Sequence, residues 1–169
     1  MIFPSEITFG KVILRNFTAL SKIELLEILA CRNHDSVRLQ MYNKDLISTE
    51  QHFDFIERLE QYKRVCFYGA YISQNLLGVC SFELKYPSDC AIGGLYKNPF
   101  SKIKMPNKSL GEVILESLEF ITFSIFNMQK LRLEVYAKNT RAIALYAKRG
   151  FKKMPNLTKE IMVYEKFSS

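Results

Sequence analysis

Between Leu131 and Phe151 the spacing of apolar positions changes from every second residue to every third or fourth. Leu131, Leu133 and Val135 alternate with Arg132, Glu134 and Tyr136, the period of a pleated strand whose successive side chains point to opposite faces. Glu134 therefore points away from the three aliphatics. Asn139 then opens an Ala-rich stretch that closes on Lys148 and Arg149 just before Gly150. A good N-cap type, strong helix formers, cations at the end and a glycine suited to the left-handed C-terminal position together predict a helix. Asn139 and Tyr146 are seven residues apart, close to two turns at about 3.6 residues per turn. An amide and a phenol thus share one helical face, with the small Ala142 between them leaving room for a ligand.

Ala91-Ile92-Gly93-Gly94-Leu95-Tyr96 predicts a central strand carrying two glycines, where a bulge or close approach by another backbone is expected and ligand contact is one cause. After Asn98-Pro99 comes a loop. Lys108-Ser109-Leu110-Gly111-Glu112 then starts a long helix with Leu110, Ile114, Leu118, Ile121 and Ile125 at helical spacing. Free backbone N–H groups and the helix dipole make its N-terminus a seat for phosphate. Upstream, Val12 to Phe17 predicts a first strand, and Ser21-Lys22-Ile23-Glu24 is a capping box opening a helix through Leu29. A second box, Ser48-Thr49-Glu50-Gln51, opens a helix with His52, Phe55, Ile56 and Leu59 on one stripe. Ile161 to Phe167 predicts a C-terminal strand that pairs either within the domain or with a partner.

At 169 residues, nearly half of them apolar and with no linker-like tract, the chain is expected to form one domain over residues 1–169. Met1 to Glu6 lacks a basic segment followed by an apolar core, and no apolar run approaches the roughly 20 residues that span a bilayer. A cytoplasmic protein without membrane contact is expected. Cys31, Cys66, Cys80 and Cys90 lack C-x-x-C spacing, and with only His34 and His52 beside them no metal site is expected. Buried free thiols are. The net charge of +7 is spread along the chain, which suits a phosphate-bearing small ligand, while a non-catalytic basic nucleic-acid-binding module is the alternative from another class.

Asn139, Ala142, Tyr146 and Gly150-Phe151 resemble the N-x-x-A-x-x-x-Y-x-x-x-G-F signature of the GNAT superfamily of N-acetyltransferases. The resemblance implies an α/β fold with a mixed, mostly antiparallel central sheet flanked by helices on both faces, and acetyl-CoA as acetyl donor. It implies that Tyr146 donates a proton to the departing coenzyme A thiolate and that Asn139 contacts the pantetheine arm. The family's R/Q-x-x-G-x-G/A segment falls on Pro106 to Gly111, where Pro106 and Ser109 depart from the pattern, Gly111 meets it and Lys108 adds a charge. The cofactor-binding set expected on this basis is Leu95, Tyr96, Lys108, Ser109, Leu110, Gly111, Glu112, Asn139, Ala142 and Tyr146.

Arg32-Asn33-His34, Met41-Tyr42, His52 to Ile56 and Gly94 to Phe100 further resemble one subfamily, PseH, in a likeness running from Val12 to Phe151. It implies acetyl transfer to the 4-amino group of UDP-4-amino-4,6-dideoxy-N-acetyl-beta-L-altrosamine, in pseudaminic acid synthesis for flagellin glycosylation. Arg32, Met41, Tyr42, His52 and Phe55 fall where that subfamily lines its nucleotide-sugar pocket. Ile92 stands where an aromatic is expected, and the loop from Ser101 to Asn107 is longer than the pattern. An amine must lose a proton before it attacks a thioester, and Glu134 matches a family glutamate that acts through water. Backbone N–H groups at Gly94 to Tyr96 would polarise the carbonyl. No cysteine neighbours a base in the sequence, so direct attack in a ternary complex without an acetyl-cysteine is expected. A GNAT enzyme that acetylates a protein N-terminus or a ribosomal protein would carry the same Asn139 and Tyr146, and the acceptor decides between them.

Overall fold

Serine side chains start the three long helices that flank the sheet. In a computed structural model, which describes residues 2–169 and so leaves out Met1 of the N-terminal segment read above, Ser21 accepts the Glu24 N–H while the Glu24 carboxylate takes the Ser21 N–H, opening α1 (Lys22–Asn33). Ser48 and Gln51 repeat this reciprocal pair at α3 (Thr49–Leu59). Each satisfies two backbone groups that a bare helix end leaves unpaired. Between them lies the single turn α2 (Asp35–Arg38). Ser109 caps α4 (Leu110–Phe120) through the Glu112 N–H, and Asn139 caps α5 (Thr140–Lys148).

The strands are β1 (Glu6–Phe9), β2 (Val12–Asn16), β3 (Val65–Ile72), β4 (Asn75–Lys85), β5 (Cys90–Lys97), β6 (Lys130–Tyr136), β7 (Lys152–Met154) and β8 (Ile161–Phe167). They form one sheet in the order β1-β2-β3-β4-β5-β6-β8-β7. Every neighbouring pair is antiparallel except β5 and β6, and that parallel pair needs the long crossover that α4 supplies. The C-terminal strand pairs inside the chain, between β6 and β7. The fold is thus α/β, with a mixed, mostly antiparallel sheet covered by helices on both faces.

Phe17, Leu25, Ile28, Ile56, Leu59 and Val79 form the core on one face, under α1 and α3. On the other, α4 and α5 cover Leu14, Tyr68, Phe82, Ala91, Leu131 and Leu133. Packing explains one of the two adjacent glycines of β5. A Cβ on Gly93 would lie 2.9 Å from Leu118 Cδ2 and 2.9 Å from Leu131 Cδ1, so α4 sits directly on the strand there.

The elements depart from the sequence pattern at three places. Helix α1 continues to Asn33 rather than ending at Leu29. Phe17 leaves β2 for a 3-10 turn over Phe17–Ala19, because the Asn16 side chain accepts the Thr18 N–H and turns the chain. After Phe120 the helix widens into a π turn over Ile121–Ile125, marked by the Phe126 N–H donating to the Ile121 carbonyl at 3.0 Å. The wider turn rotates the apolar stripe, leaving Ile121 enclosed and Ile125 36% exposed.

All four cysteines are buried and free, and burial pushes the Cys31 and Cys66 thiols up to about 12. Among the described residues no helix is long and apolar enough to cross a membrane.

Candidate active site

The sheet opens in its middle. Pairing between β5 and β6 runs from Cys90 opposite Lys130 to Gly93 opposite Leu133 and stops there. Beyond that point β5 follows β4 to Lys97 and β6 follows β8 to Tyr136. Gly94, Leu95 and Tyr96 are therefore only half buried, although they belong to a central strand. Alternate peptide groups on the two facing edges have no neighbouring strand to bond, and they need partners from elsewhere.

Helix α5 follows β6 closely and stands on the α4 side of this opening. The Asn139 side-chain oxygen accepts the Ala142 N–H at 3.2 Å, which leaves its NH2 group for a ligand. At the other end Gly150 has φ +81°, the Gly150 N–H donates to Ala147 and the Phe151 N–H reaches back to Tyr146 at 3.0 Å. This is the glycine-terminated closure that the sequence predicts. It fixes Tyr146, whose ring packs at 5.8 Å from Phe151 and 5.9 Å from Tyr164. The residue is 6% exposed, and burial pushes its phenol up to about 12. Among the described residues the Tyr146 hydroxyl has no hydrogen-bond partner, and it is not enclosed by the protein.

Glu134 and Tyr146 lie on opposite faces of the sheet. Tyr146 belongs to the core that contains Leu133 and Val135, and Glu134 sits between those two residues on an alternating strand, pointing the other way. A single reacting centre can be addressed from both sides only where the sheet is open, which is the gap beyond Gly93.

At the α4 N-terminus, Ser109 takes the Glu112 N–H at 3.1 Å and leaves those of Leu110 and Gly111 free for an anion. A Cβ on Gly111 would meet only Leu145 at 3.5 Å and Ser109 at 3.9 Å, so no protein contact demands glycine there. The opening and this cradle together fit an elongated thioester that ends in phosphates. Lys108, which belongs to the expected cofactor-binding set, holds Glu116 at 2.7 Å. Lys148 holds the buried Glu112 at 2.8 Å and keeps that carboxyl below its usual range. Arg149 bridges Glu116 and Glu119 at 2.8 and 3.0 Å. These ion pairs clamp α5, and with it Tyr146, onto α4.

On the acceptor side, the loop from Leu39 to Ser48 is strapped to α1 and α2. Arg32 donates to the Asn43 carbonyl and Arg38 to the Lys44 carbonyl, each at 2.7 Å, and Asn33 exchanges two hydrogen bonds with Ile47. The strap carries Met41, half buried, and Tyr42, exposed, toward β6. There the Tyr42 hydroxyl donates to Glu134 Oε2. Arg132 Nη2 lies 3.4 Å from the other Glu134 oxygen. Arg32 Nη1 is buried without a partner among the described residues, and burial lowers the Arg32 pKa. An unpaired buried donor of this kind is a costly feature unless a ligand completes it.

Under the strap lies a cavity of about 320 Å³ lined by Asn43, Ile47, His52, Phe55 and Arg58 among others. His52 is buried, and its Nε2 donates to the Leu25 carbonyl at 2.8 Å, which ties α3 to α1. Burial lowers its pKa. Phe55 meets the Phe67 ring edge-on at 5.1 Å. The structure thus gathers Tyr42 at Glu134, and His52 with Phe55 at the cavity, with Arg32 joining the two through Asn43. Asn43, Arg58 and Arg132 were not singled out from the sequence. Arg58 was legible, since it stands three residues after Phe55 on the same helix.

Comparison with known proteins shows the family and the fold. Residues 28–151 match the model of the acetyltransferase (GNAT) family, and the chain belongs to that family. It is accordingly an acetyl-CoA-dependent N-acetyltransferase. Among curated relatives, it is 28% identical over 138 residues to acetyltransferase PseH of Campylobacter jejuni serotype O:2, covering 82% of this chain and 83% of the relative. The PseH of serotype O:23/36 is 26% identical over the same shares. Among solved structures, C. jejuni N-acetyltransferase PseH in complex with acetyl coenzyme A superposes with a TM-score of 0.74 at 20% identity, over 94% of this chain and 99% of that one. Spermidine N-acetyltransferase from Vibrio cholerae, in complex with CoA and spermine, gives 0.82 at 17% identity over 95% and 97%.

Proposed function

We propose that this protein acetylates the 4-amino group of UDP-4-amino-4,6-dideoxy-N-acetyl-beta-L-altrosamine, as a cytoplasmic step of pseudaminic acid synthesis for flagellin glycosylation. The observation that carries the reading is the gap beyond Gly93, with Glu134 on one face of the sheet and Tyr146 on the other. In this account the Leu110 and Gly111 amides seat the pyrophosphate of acetyl-CoA, with Ser109 and Glu112 shaping that turn. The Asn139 amide and the surface over Ala142 hold the pantetheine arm, and the Gly94 to Tyr96 strand polarises the thioester carbonyl. Glu134 accepts the proton that the amine must lose, and Tyr146 donates to sulfur as the C–S bond breaks. The amine attacks directly. The cysteines are enclosed and burial raises their thiols, which supports a path without an acetyl-cysteine.

For the acceptor, the resemblance to PseH implies the pathway, and the chemistry of the site supports that reading. Arg32 and Arg58 can meet a diphosphate, and Met41, Tyr42 and Phe55 can face ring surfaces. A polyamine acceptor would instead call for a pocket dominated by carboxylates. The test is thiol release from acetyl-CoA in the presence of the UDP-4-amino sugar, spermidine, or a peptide with a free N-terminus. The reading expects the nucleotide sugar to exceed the others by orders of magnitude in kcat/KM. Preferential turnover of the polyamine or the peptide refutes it.

A further inference from the structure

Glu134 does not stand open to an arriving amine. The Tyr42 hydroxyl, from the strap over α1, occupies its Oε2, and Arg132 faces its Oε1. The Tyr42 ring is held by Tyr136, which it meets edge-on at 6.0 Å, and Lys44 covers the Tyr136 ring at 4.7 Å. Tyr42 is nonetheless 63% exposed, so much of the residue lies open to solvent while its hydroxyl bonds Glu134. The groups that face the carboxylate are thus Tyr42, Arg132 and, through the Tyr42 ring, Tyr136 and Lys44. Burial and the Glu134 hydrogen bond raise the Tyr42 phenol, so it remains a hydroxyl able to give one proton while taking another.

We infer that Tyr42 is a catalytic proton conduit, carrying the acceptor amine's proton to Glu134 through its hydroxyl. The inference rests on the reading of Glu134 as the final acceptor. An amine arriving as the ammonium has three N–H bonds, and the amide product has one. As the first N–H bond breaks, its proton bonds to the Tyr42 oxygen, while the Tyr42 O–H bond breaks and that proton bonds to Glu134 Oε2. The freed lone pair forms the C–N bond to the thioester carbon as the carbonyl π pair moves onto oxygen. That pair then re-forms the C=O bond while the C–S bond breaks with its electron pair on sulfur, which takes the Tyr146 proton. Once Glu134 has passed the first proton to solvent, the second N–H proton leaves along the same route, and Tyr146 recovers a proton from water. One proton is released overall. Tyr42 is in this way more than a surface for the base or sugar of the acceptor.

The test compares Tyr42→Phe, Glu134→Gln and the double variant, measuring kcat and KM across pH with the amine of the acceptor panel that the enzyme turns over fastest. The inference expects Tyr42→Phe to lower kcat about 10²-fold near neutrality, within the usual worth of acid–base catalysis. KM should move much less, and the loss should shrink as pH rises and the amine arrives uncharged. The double variant should lose no more than the worse single one, because the two groups act in series. A Tyr42→Phe enzyme with intact kcat and a raised KM overturns the conduit while leaving Glu134 in place. Intact kcat in Glu134→Gln overturns both. Multiplied losses in the double variant show independent roles and also overturn the conduit.

Discussion

Replacing Tyr146 by Phe separates chemistry from folding with one atom. The ring contacts to Phe151 and Tyr164 survive the change, and the hydroxyl leaves no protein partner unpaired because it bonds to none. Stability should therefore stay within about 0.5 kcal/mol of the parent, the usual range for changes that break no buried interaction. The rate should not. A phenol pushed up to about 12 keeps its proton at every working pH. Against an ordinary thiol near 8.5, full transfer to a relaxed thiolate is uphill by about 5 kcal/mol at 1.36 kcal/mol per unit. Its help is therefore concentrated where charge gathers on sulfur while the C–S bond breaks, so the interaction strengthens in the transition state and not in the ground state. Loss of such a donor costs roughly 10²–10⁴ in rate, or about 3–5 kcal/mol. In a thiol-release assay kcat and kcat/KM should fall together, with acetyl-CoA affinity by calorimetry and the thermal midpoint both near the parent's. Turnover within twofold of the parent would refute the role, and a collapsed thermal midpoint would refute the claim that the hydroxyl is structurally idle.

Two further substitutions probe the frame around the site. Gly93→Ala places a methyl 2.9 Å from both Leu118 and Leu131 and 3.1 Å from Leu133, so overpacking should cost about 1–3 kcal/mol in urea unfolding, and an unchanged midpoint would contradict the described seat of α4 on β5. His52 is buried with a lowered pKa, so the unfolded chain binds a proton that the folded one refuses. Its contribution to stability is present above about 6.5, the unfolded value, and is lost as pH falls toward the folded pKa, with a slope of at most about 1.4 kcal/mol per unit. His52→Gln should flatten that part of the stability curve between pH 7 and 5, and parallel curves would refute the assignment.

Short-range rules made α5 legible in full. Its cap, the face shared by Asn139 and Tyr146, and the closure at Gly150 all depend on residues within one helix, and the capping boxes of α1 and α3 read out for the same reason. What escaped depends on distant pairing. β3 is buried over most of its length on both faces and lacks the alternation that announces a half-exposed strand. The hairpin to β4 turns at Ser73 with φ +55° and no Asn-Gly or Asp-Gly signal. The gap beyond Gly93 exists because two strands share only four paired positions, a matter of register that no local pattern encodes. Glu134 was found from its place on an alternating strand, but its bond to Tyr42 joins residues 92 apart. His52 was grouped with the pocket by resemblance, and its bond to the Leu25 carbonyl, equally non-local, adds a structural task that the stripe alone did not disclose.

The central claim is that acetyl-CoA occupies the opening between β5 and β6, and a crystal structure of the complex tests it most directly. The account predicts the thioester inside the gap, its carbonyl oxygen within hydrogen-bond distance of an N–H from Gly94 to Tyr96, sulfur beside the Tyr146 hydroxyl, and pyrophosphate on the Leu110 and Gly111 amides. A cofactor bound elsewhere, with β5 and β6 still unpaired beyond Gly93 and the gap filled only by solvent, would contradict it.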